Sequence, residues 1–228
     1  MRLSSWLIVG AAIVLQAGCV TGHRTLDLPP TAAPVGASAA ATPAVQGLVY
    51  LASVTDDRKF ENKPDEPSTP SIDGDVTKMS AQDKDRMIGR QRNTFGHAMG
   101  DIMLPPGDSV TKRVRGLVEE GLRRDGYQVS SDPNAPNSVA LSINEFWAWT
   151  TPGFWALTFE AKIQCTLTVN NGNGSARTLS VKGYGKNSGQ VAKDANWQDA
   201  YKPAFEDFIS NLSQQVGQLG LRGGQASR

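Results

Sequence analysis

The stretch WALTFEAKIQCTLTV, residues 155–169, alternates without a break. Its odd positions are Trp155, Leu157, Phe159, Ala161, Ile163, Cys165, Leu167 and Val169, and the even positions from Thr158 to Thr168 are all polar. Successive strand side chains point to opposite faces, so this pattern predicts a strand with one buried and one wet face. Antiparallel pairing is its natural setting. Upstream, Val139, Leu141, Ile143, Trp147 and Trp149 repeat the odd-position pattern, interrupted by Glu145. Downstream of a turn at 170–174, Leu179 and Val181 supply the inward face of a further strand. Together the three runs predict a meander. A two-residue Pro152-Gly153 turn would set an apolar face beside a polar one, because directly opposed residues share a face. A three- or five-residue loop avoids this, and predicts Trp149 opposite Trp155 and Leu141 opposite Ile163.

Outward from the hairpin, GLVYLASV at 47–54 is apolar on both faces, as expected of a strand buried inside a sheet. Residues 60–82 hold Pro, Asp, Lys and Ser with almost no apolar pattern, and a loop of that length is usually functional or disordered. Residues 87–89 and 101–104 read as short strands around a basic, polar turn. A helix over 109–125 is predicted from the stripe Val110, Val114, Leu117, Val118 and Leu122, with Asp108 as N-cap and Gly126 at the stop. Residues 127–130 follow as a short strand. A last helix over 197–217 carries Trp197, Tyr201, Phe205, Phe208, Leu212 and Val216 near one stripe, with Asn196 as its cap. Pro203 predicts either a kink there or a start near Lys202. The fold class is α+β: a buried first strand, a helix, a three-strand meander and a C-terminal helix, forming an antiparallel-rich sheet with two helices on one face.

At the other end, Met1 and Arg2 precede an apolar run from Trp6 to Leu15, and Gln16-Ala17-Gly18 supplies small residues before Cys19. That order reads as a secretory signal with a cleavage site. The run is shorter than the roughly 20 residues a membrane span needs. Residues 20–46 are rich in Ala, Pro, Thr and Ser without apolar periodicity, which predicts a disordered tether spanning on the order of 30 Å. The expected layout is a signal at 1–18, a tether at 19–46, one domain at 47–219 and a flexible tail at 220–228.

The formal charge of the 228-residue chain is +1, so no strong overall pull toward nucleic acid or anionic lipid is expected. If Cys19 is spent on an anchor, Cys165 is a lone thiol, unable to form an internal disulfide and best read as a small buried hydrophobe. His23 and His97 lie far apart in sequence, and no metal-ligand spacing exists. No glycine-rich phosphate loop or serine elbow is present. Asp56, Asp57 and Arg58 at a strand end are read as a loop-capping ion pair rather than a catalytic cluster. Glu145 on an apolar face is costly unless paired, and the simpler expectation is that the hairpin carries it past the core into water. Arg90, Arg92 and His97 form a modest basic cluster, read as a solvated face rather than a phosphate site.

The residues before Cys19 resemble the lipobox of bacterial lipoproteins, although the position three before the cysteine is Gln16 rather than an aliphatic residue. In that family the cysteine becomes the lipidated first residue of the mature chain. With Ala17-Gly18-Cys19, Val54-Thr55-Asp56-Asp57-Arg58, Ile88-Gly89 and Gly126-Tyr127 in this order, the chain resembles the YajG-like family of bacterial envelope lipoproteins over about 47–219. It departs from that pattern in its longer polar insertion at 60–84. The resemblance implies a lipid-anchored periplasmic domain without catalysis and carries no defined ligand or cofactor. Val20 follows the cysteine where an aspartate would resemble an inner-membrane retention signal, so the resemblance implies the outer membrane.

Five aromatic residues within ten positions, Phe146, Trp147, Trp149, Phe154 and Trp155, are the candidate partner-binding surface at the hairpin tip. The register above turns Trp147, Trp149 and Trp155 toward the core and Phe146 and Phe154 away. The expected function is a non-enzymatic, lipid-anchored domain that docks onto envelope protein partners, with no nucleic acid involved. The alternative is a binding module for a small cell-wall or lipid fragment, which a deep pocket with convergent polar groups would favour.

Overall fold

The computed structural model describes residues 23–31, 44–93, 95, 97–170 and 176–221. Cys19, the signal segment and most of the 170–174 turn and of the tail lie outside the described residues. In chain order the strands are β1 (Arg24–Thr25), β2 (Gly47–Asp56), β3 (Met87–Arg92), β4 (Ala98–Met103), β5 (Tyr127–Ser130), β6 (Asn137–Pro152), β7 (Leu157–Asn170) and β8 (Arg177–Gly189). The helices are α1 (Ala81–Lys84), α2 (Val110–Arg124) and α3 (Asp194–Gln215), with a 3-10 turn at Val216–Leu219 closing the last. The α+β class and the β6–β7–β8 antiparallel meander match the sequence reading. The sheet as a whole is mixed, because β2 pairs in parallel with β5 and β6, β3 in parallel with β6, and β1 in parallel with β4.

The hairpin register differs from the expected one. Residues 153–156 form a four-residue loop between Pro152 and its partner Leu157, and Trp149 faces Glu160 instead of Trp155. Leu141 faces Leu167 instead of Ile163. The parity conflict that argued against an even loop is relieved by a bulge between Ile143 and Glu145, which moves the register by one residue. Below the bulge the odd residues Val139, Leu141 and Ile143 face the helices. Above it the even residues Phe146 and Ala148 take over that face, opposite Ile163 and Ala161. Trp147 and Trp149 therefore turn to the reverse face of the sheet.

That reverse face is covered by the polar insertion. Trp147 and Trp149 cluster with Ile72, Met87 and Met103, and Phe60, Val76 and Met79 pack against them. The insertion is thus a second cover for the sheet. Its apolar residues follow no helical or strand period, which is why the sequence pattern did not announce it.

On the front face, α3 lies close against β8. A Cβ on Gly183 or Gly185 would collide with the Ala204 or Ala200 carbonyl oxygen, so glycine is what lets helix backbone meet strand backbone. Helix α3 runs through Pro203 without a break and starts at Asp194, three residues before the expected Trp197. Lys193 occupies the cap position without a side-chain cap bond, and Asn196 instead donates from Nδ2 to the Val191 carbonyl at 2.7 Å. At α2 the N-cap is Ser109 rather than Asp108, its hydroxyl accepting from the Lys112 amide. Gly126 follows α2 at φ +81°, as its stop position predicted.

The expected tether at 19–46 is corrected over residues 23–31, which belong to the fold. Arg24–Thr25 adds a strand beside Ile102 and Met103, and Leu26 and Leu28 are buried in the main core. Arg113 donates to the Pro29 carbonyl at 2.9 Å and Gln198 to the Asp27 carbonyl at 2.7 Å. Pro29-Pro30 and the Ala-rich sequence beyond masked this short apolar alternation.

Candidate functional site

The bulge sorts the five candidate aromatics into two sets. Phe146 stacks on Tyr201 at 5.2 Å between ring centroids and lies in the main core, the reverse of its expected outward direction. Trp147 is fully buried, packs edge-on to Phe60 at 6.0 Å and donates its indole N–H to the Pro67 carbonyl at 3.2 Å. Trp149 is buried with it. Phe154 and Trp155, in the hairpin loop, are 89% and 85% exposed and meet edge-to-face at 4.7 Å. Trp155, expected to face the core, faces water because the four-residue loop ends the ladder before it.

Arg58, two residues past the end of β2, is buried and fully engaged in hydrogen bonds. Strands β2 and β3 abut end to end along one side of β6: β2 ends at the Asp56–Ile143 pair, and β3 joins at the Gly89–Ala148 pair. Phe146 lies in the gap, and the Arg58 guanidinium fills it. It donates to the Phe146 carbonyl at 2.9 Å, the Met87 carbonyl at 2.6 Å and the Lys84 carbonyl at 2.6 Å. Its Nε and Nη2 hold both Asp56 carboxylate oxygens at 2.7 Å. All five donors of the guanidinium are used, and the group also lies over the Phe60 ring at 5.1 Å. Asp56 and Arg58 therefore splice the sheet, a more demanding task than the expected capping of a loop, while the Asp57 carboxylate accepts from the Thr55 and Ser142 hydroxyls.

Glu145 pairs with Lys162 at 2.8 Å on the partly exposed reverse face. Cys165 is buried, and desolvation pushes its thiol up to about 12, which suits packing and not nucleophilic attack. The long edge of β8 is blocked by its neighbour helix. Asp207 of α3 accepts from the Tyr184 amide at 2.9 Å, and Asn211 donates to the Lys182 carbonyl at 2.9 Å. Such caps on an edge strand discourage pairing with another chain.

The basic cluster gathers more than the sequence showed. Arg90, Arg92 and His97 line an open depression of about 460 Å³ together with Lys63 and Asp73. Arg90 donates to the Ile72 carbonyl and lies 3.3 Å from an Asp73 oxygen. Burial and the charge of Arg90 lower the pKa of Arg92. Beneath them Asp101 is fully shielded from water; it accepts from the Asp73 amide at 3.0 Å and pairs with His23 at 3.2 Å. Desolvation raises its pKa, opposed by the Asp73 amide, Arg90 and His23. Lys63 and His23 were missed because each arrives from a segment read as loop or tether.

The sign of the Asp101 shift makes a pH prediction. A carboxyl with a raised folded pKa contributes stability that is fully present below its ordinary value of 3.8 and is lost as pH rises through the folded value. The stability of the wild type relative to Asp101→Asn should therefore fall as pH rises from acid toward neutral. Tm measured for both proteins across that range checks it; parallel curves would refute it.

Among the described residues no helix is long and apolar enough to cross a membrane, and no cluster of three His, Cys, Asp or Glu side chains could hold a metal. Over residues 80–218 the chain matches a family model described as an uncharacterized lipoprotein. No curated protein matches it. Solved structures similar to it include a protein of Xanthomonas campestris assigned to the DUF330 family, at 12% identity over 87% of this chain and 92% of that one, TM-score 0.38. A minor lipoprotein of Acinetobacter baumannii aligns at 16% identity over 49% of this chain and 87% of its own, TM-score 0.32. A hypothetical protein of Chlamydia trachomatis aligns at 10% identity over 75% and 98%, TM-score 0.39.

Proposed function

The chain belongs to the YajG-like family of uncharacterized lipoproteins, and from that premise we propose a non-enzymatic docking domain of the bacterial outer membrane. Cys19 carries the lipid, the domain faces the periplasm, and the docking surface is the end of the sheet that bears Phe154 and Trp155. The observation that carries this reading is the exposed Phe154–Trp155 pair on a domain whose other large aromatic clusters are closed. Two adjacent rings left in water favour burial against something else. Docking through the long β8 edge is disfavoured by the Asp207 and Asn211 caps. An enzymatic role finds no support in Cys165, which is buried and protonated, or in Asp56 and Arg58, which are spent on the sheet.

Trp149 is unsuitable for testing this, because it is buried and its loss would disturb the reverse-face core. A photo-crosslinking residue placed at Phe154 should form adducts with envelope components, protein or lipid, in intact cells. The same group at Val45, exposed beside the start of β2 and remote from the hairpin loop, should form few. Equal labelling at both positions, or none at 154, would sink the reading.

A further inference from the structure

We infer that the surface met by the Phe154–Trp155 end is the lipid bilayer itself, so that the domain lies end-on against its own membrane instead of hanging from a long tether. The inference rests on the reading of Cys19 as the anchor, and it names the partner of the surface proposed above.

Strand polarity brings the necessary parts to one end. β1 runs parallel to β4, with Arg24 beside Ile102, so the chain arrives at His23 from the Ala98 end of β4. That end adjoins the turn after β3, where Phe95 is 84% exposed. β3 is parallel to β6, so the same end holds the β6–β7 loop with Phe154 and Trp155. Phe95, Arg92 and His97 in fact line one depression together with Thr151 and Pro152. β8 ends beside Leu157, which adds the exposed Val191 in the turn before α3. Arg24 ties that turn to β1 through the Ala192 carbonyl and Asp194. Among the described residues, four of the seven exposed large apolar side chains, Phe95, Phe154, Trp155 and Val191, therefore sit at this end.

The length of the connection makes the bilayer the occupant. Only Val20, Thr21 and Gly22 separate Cys19 from His23, and an extended chain covers at most about 3.6 Å per residue, roughly 14 Å in all. His23 is held in the fold by Asp101 at 3.2 Å and by the strand that follows it. A lipid on Cys19 thus brings this end, and no other, to the headgroups. The chemistry suits that place. Aromatic rings favour the headgroup level of a bilayer, where an apolar body and a polar rim are both accommodated. Lys63 and Arg92 line the adjoining depression and bring positive charge to the level of the lipid phosphates, while Arg90 behind them is held by Asp73 and Asp101. A net charge of only +1 conceals this local grouping.

Tryptophan emission reads the contact directly, since Trp147, Trp149 and Trp197 are buried and Trp155 is the exposed indole among the described residues. The mature lipidated protein, from Cys19 onward, is reconstituted into vesicles of phosphatidylethanolamine and phosphatidylglycerol, with acyl chains brominated near the headgroup. Intact mass reports whether Cys19 is acylated. The expected result is quenching by the brominated lipid, protection of Trp155 from aqueous acrylamide, and loss of the lipid quenching in Trp155→Phe. An acylated protein whose Trp155 is open to acrylamide and untouched by the bromines overturns the inference and leaves the anchor standing. Absence of an acyl group overturns the anchor reading and the orientation with it. In cells, adducts from position 154 to protein alone would keep the docking reading and overturn the bilayer as its partner.

Discussion

Replacing Arg58 by methionine is expected to remove about 3–5 kcal/mol of stability, the usual consequence of deleting one partner of a buried charged network. Methionine fills much of the same volume, so the loss is electrostatic and not a cavity effect. It strands the Asp56 carboxylate, 13% exposed at its side chain, and leaves the Phe146 and Met87 carbonyls without the donors that the sheet cannot supply at the β2–β3 junction. Arg58→Lys should recover less than half of the loss. A lysine carries three donors on one point and cannot reach the two sides of the gap and the carboxylate together. Urea unfolding of the three proteins measures this, with a lowered midpoint at unchanged slope as the expected signature. A methionine variant within about 1 kcal/mol of the wild type would show that the splice is dispensable.

Gly185→Ala is expected to cost about 3 kcal/mol, at the upper end for overpacking, because the obstruction is backbone and cannot rotate away. The new Cβ would collide with the Ala200 carbonyl oxygen and come within 2.5 Å of the Ala204 amide nitrogen and 2.9 Å of the Pro203 ring. The whole of α3 must lift from the meander to admit it, opening contacts made by Tyr201, Phe205 and Phe208 in the main core. For a domain of this size that corresponds to a fall in Tm of roughly 6–12 °C. Lys186→Ala, one residue on and pointing to water, should change Tm by little. Calorimetry on both variants decides it. Equal, small shifts would mean that α3 accommodates the methyl group without loss.

Much of the fold was legible because it is written in periods. The alternation of 157–169 and the stripe of α2 each bury one face, and burial is what a repeating apolar pattern records. The site was legible only in part. Five aromatics within ten residues marked the candidate hairpin, but parity assigned Phe146, Trp147, Trp149 and Trp155 to the wrong sides. A single bulged residue inverts every side chain beyond it, and nothing in Asn144-Glu145 distinguishes a bulge from an interruption. Lys63 and His23, brought beside Arg90 and Asp101 from distant segments, have no local pattern at all.

Local periodicity was enough for the α+β class and the meander, and short motifs carried the resemblance to the lipoprotein family that the family match bears out. The parallel pairings, the two-sided burial around Trp147, the role of Arg58 at the β2–β3 junction, and which two of five rings remain in water emerge only in three dimensions. The tertiary structure also placed residues 23–31 in the fold, ahead of the expected start at 47, because Leu26 and Leu28 find their partners only once β4 and the helices are in place. The physical reason is common to all of these. Each depends on contacts between segments far apart in the chain, and a backbone group or a ring is satisfied or exposed according to its neighbours in space.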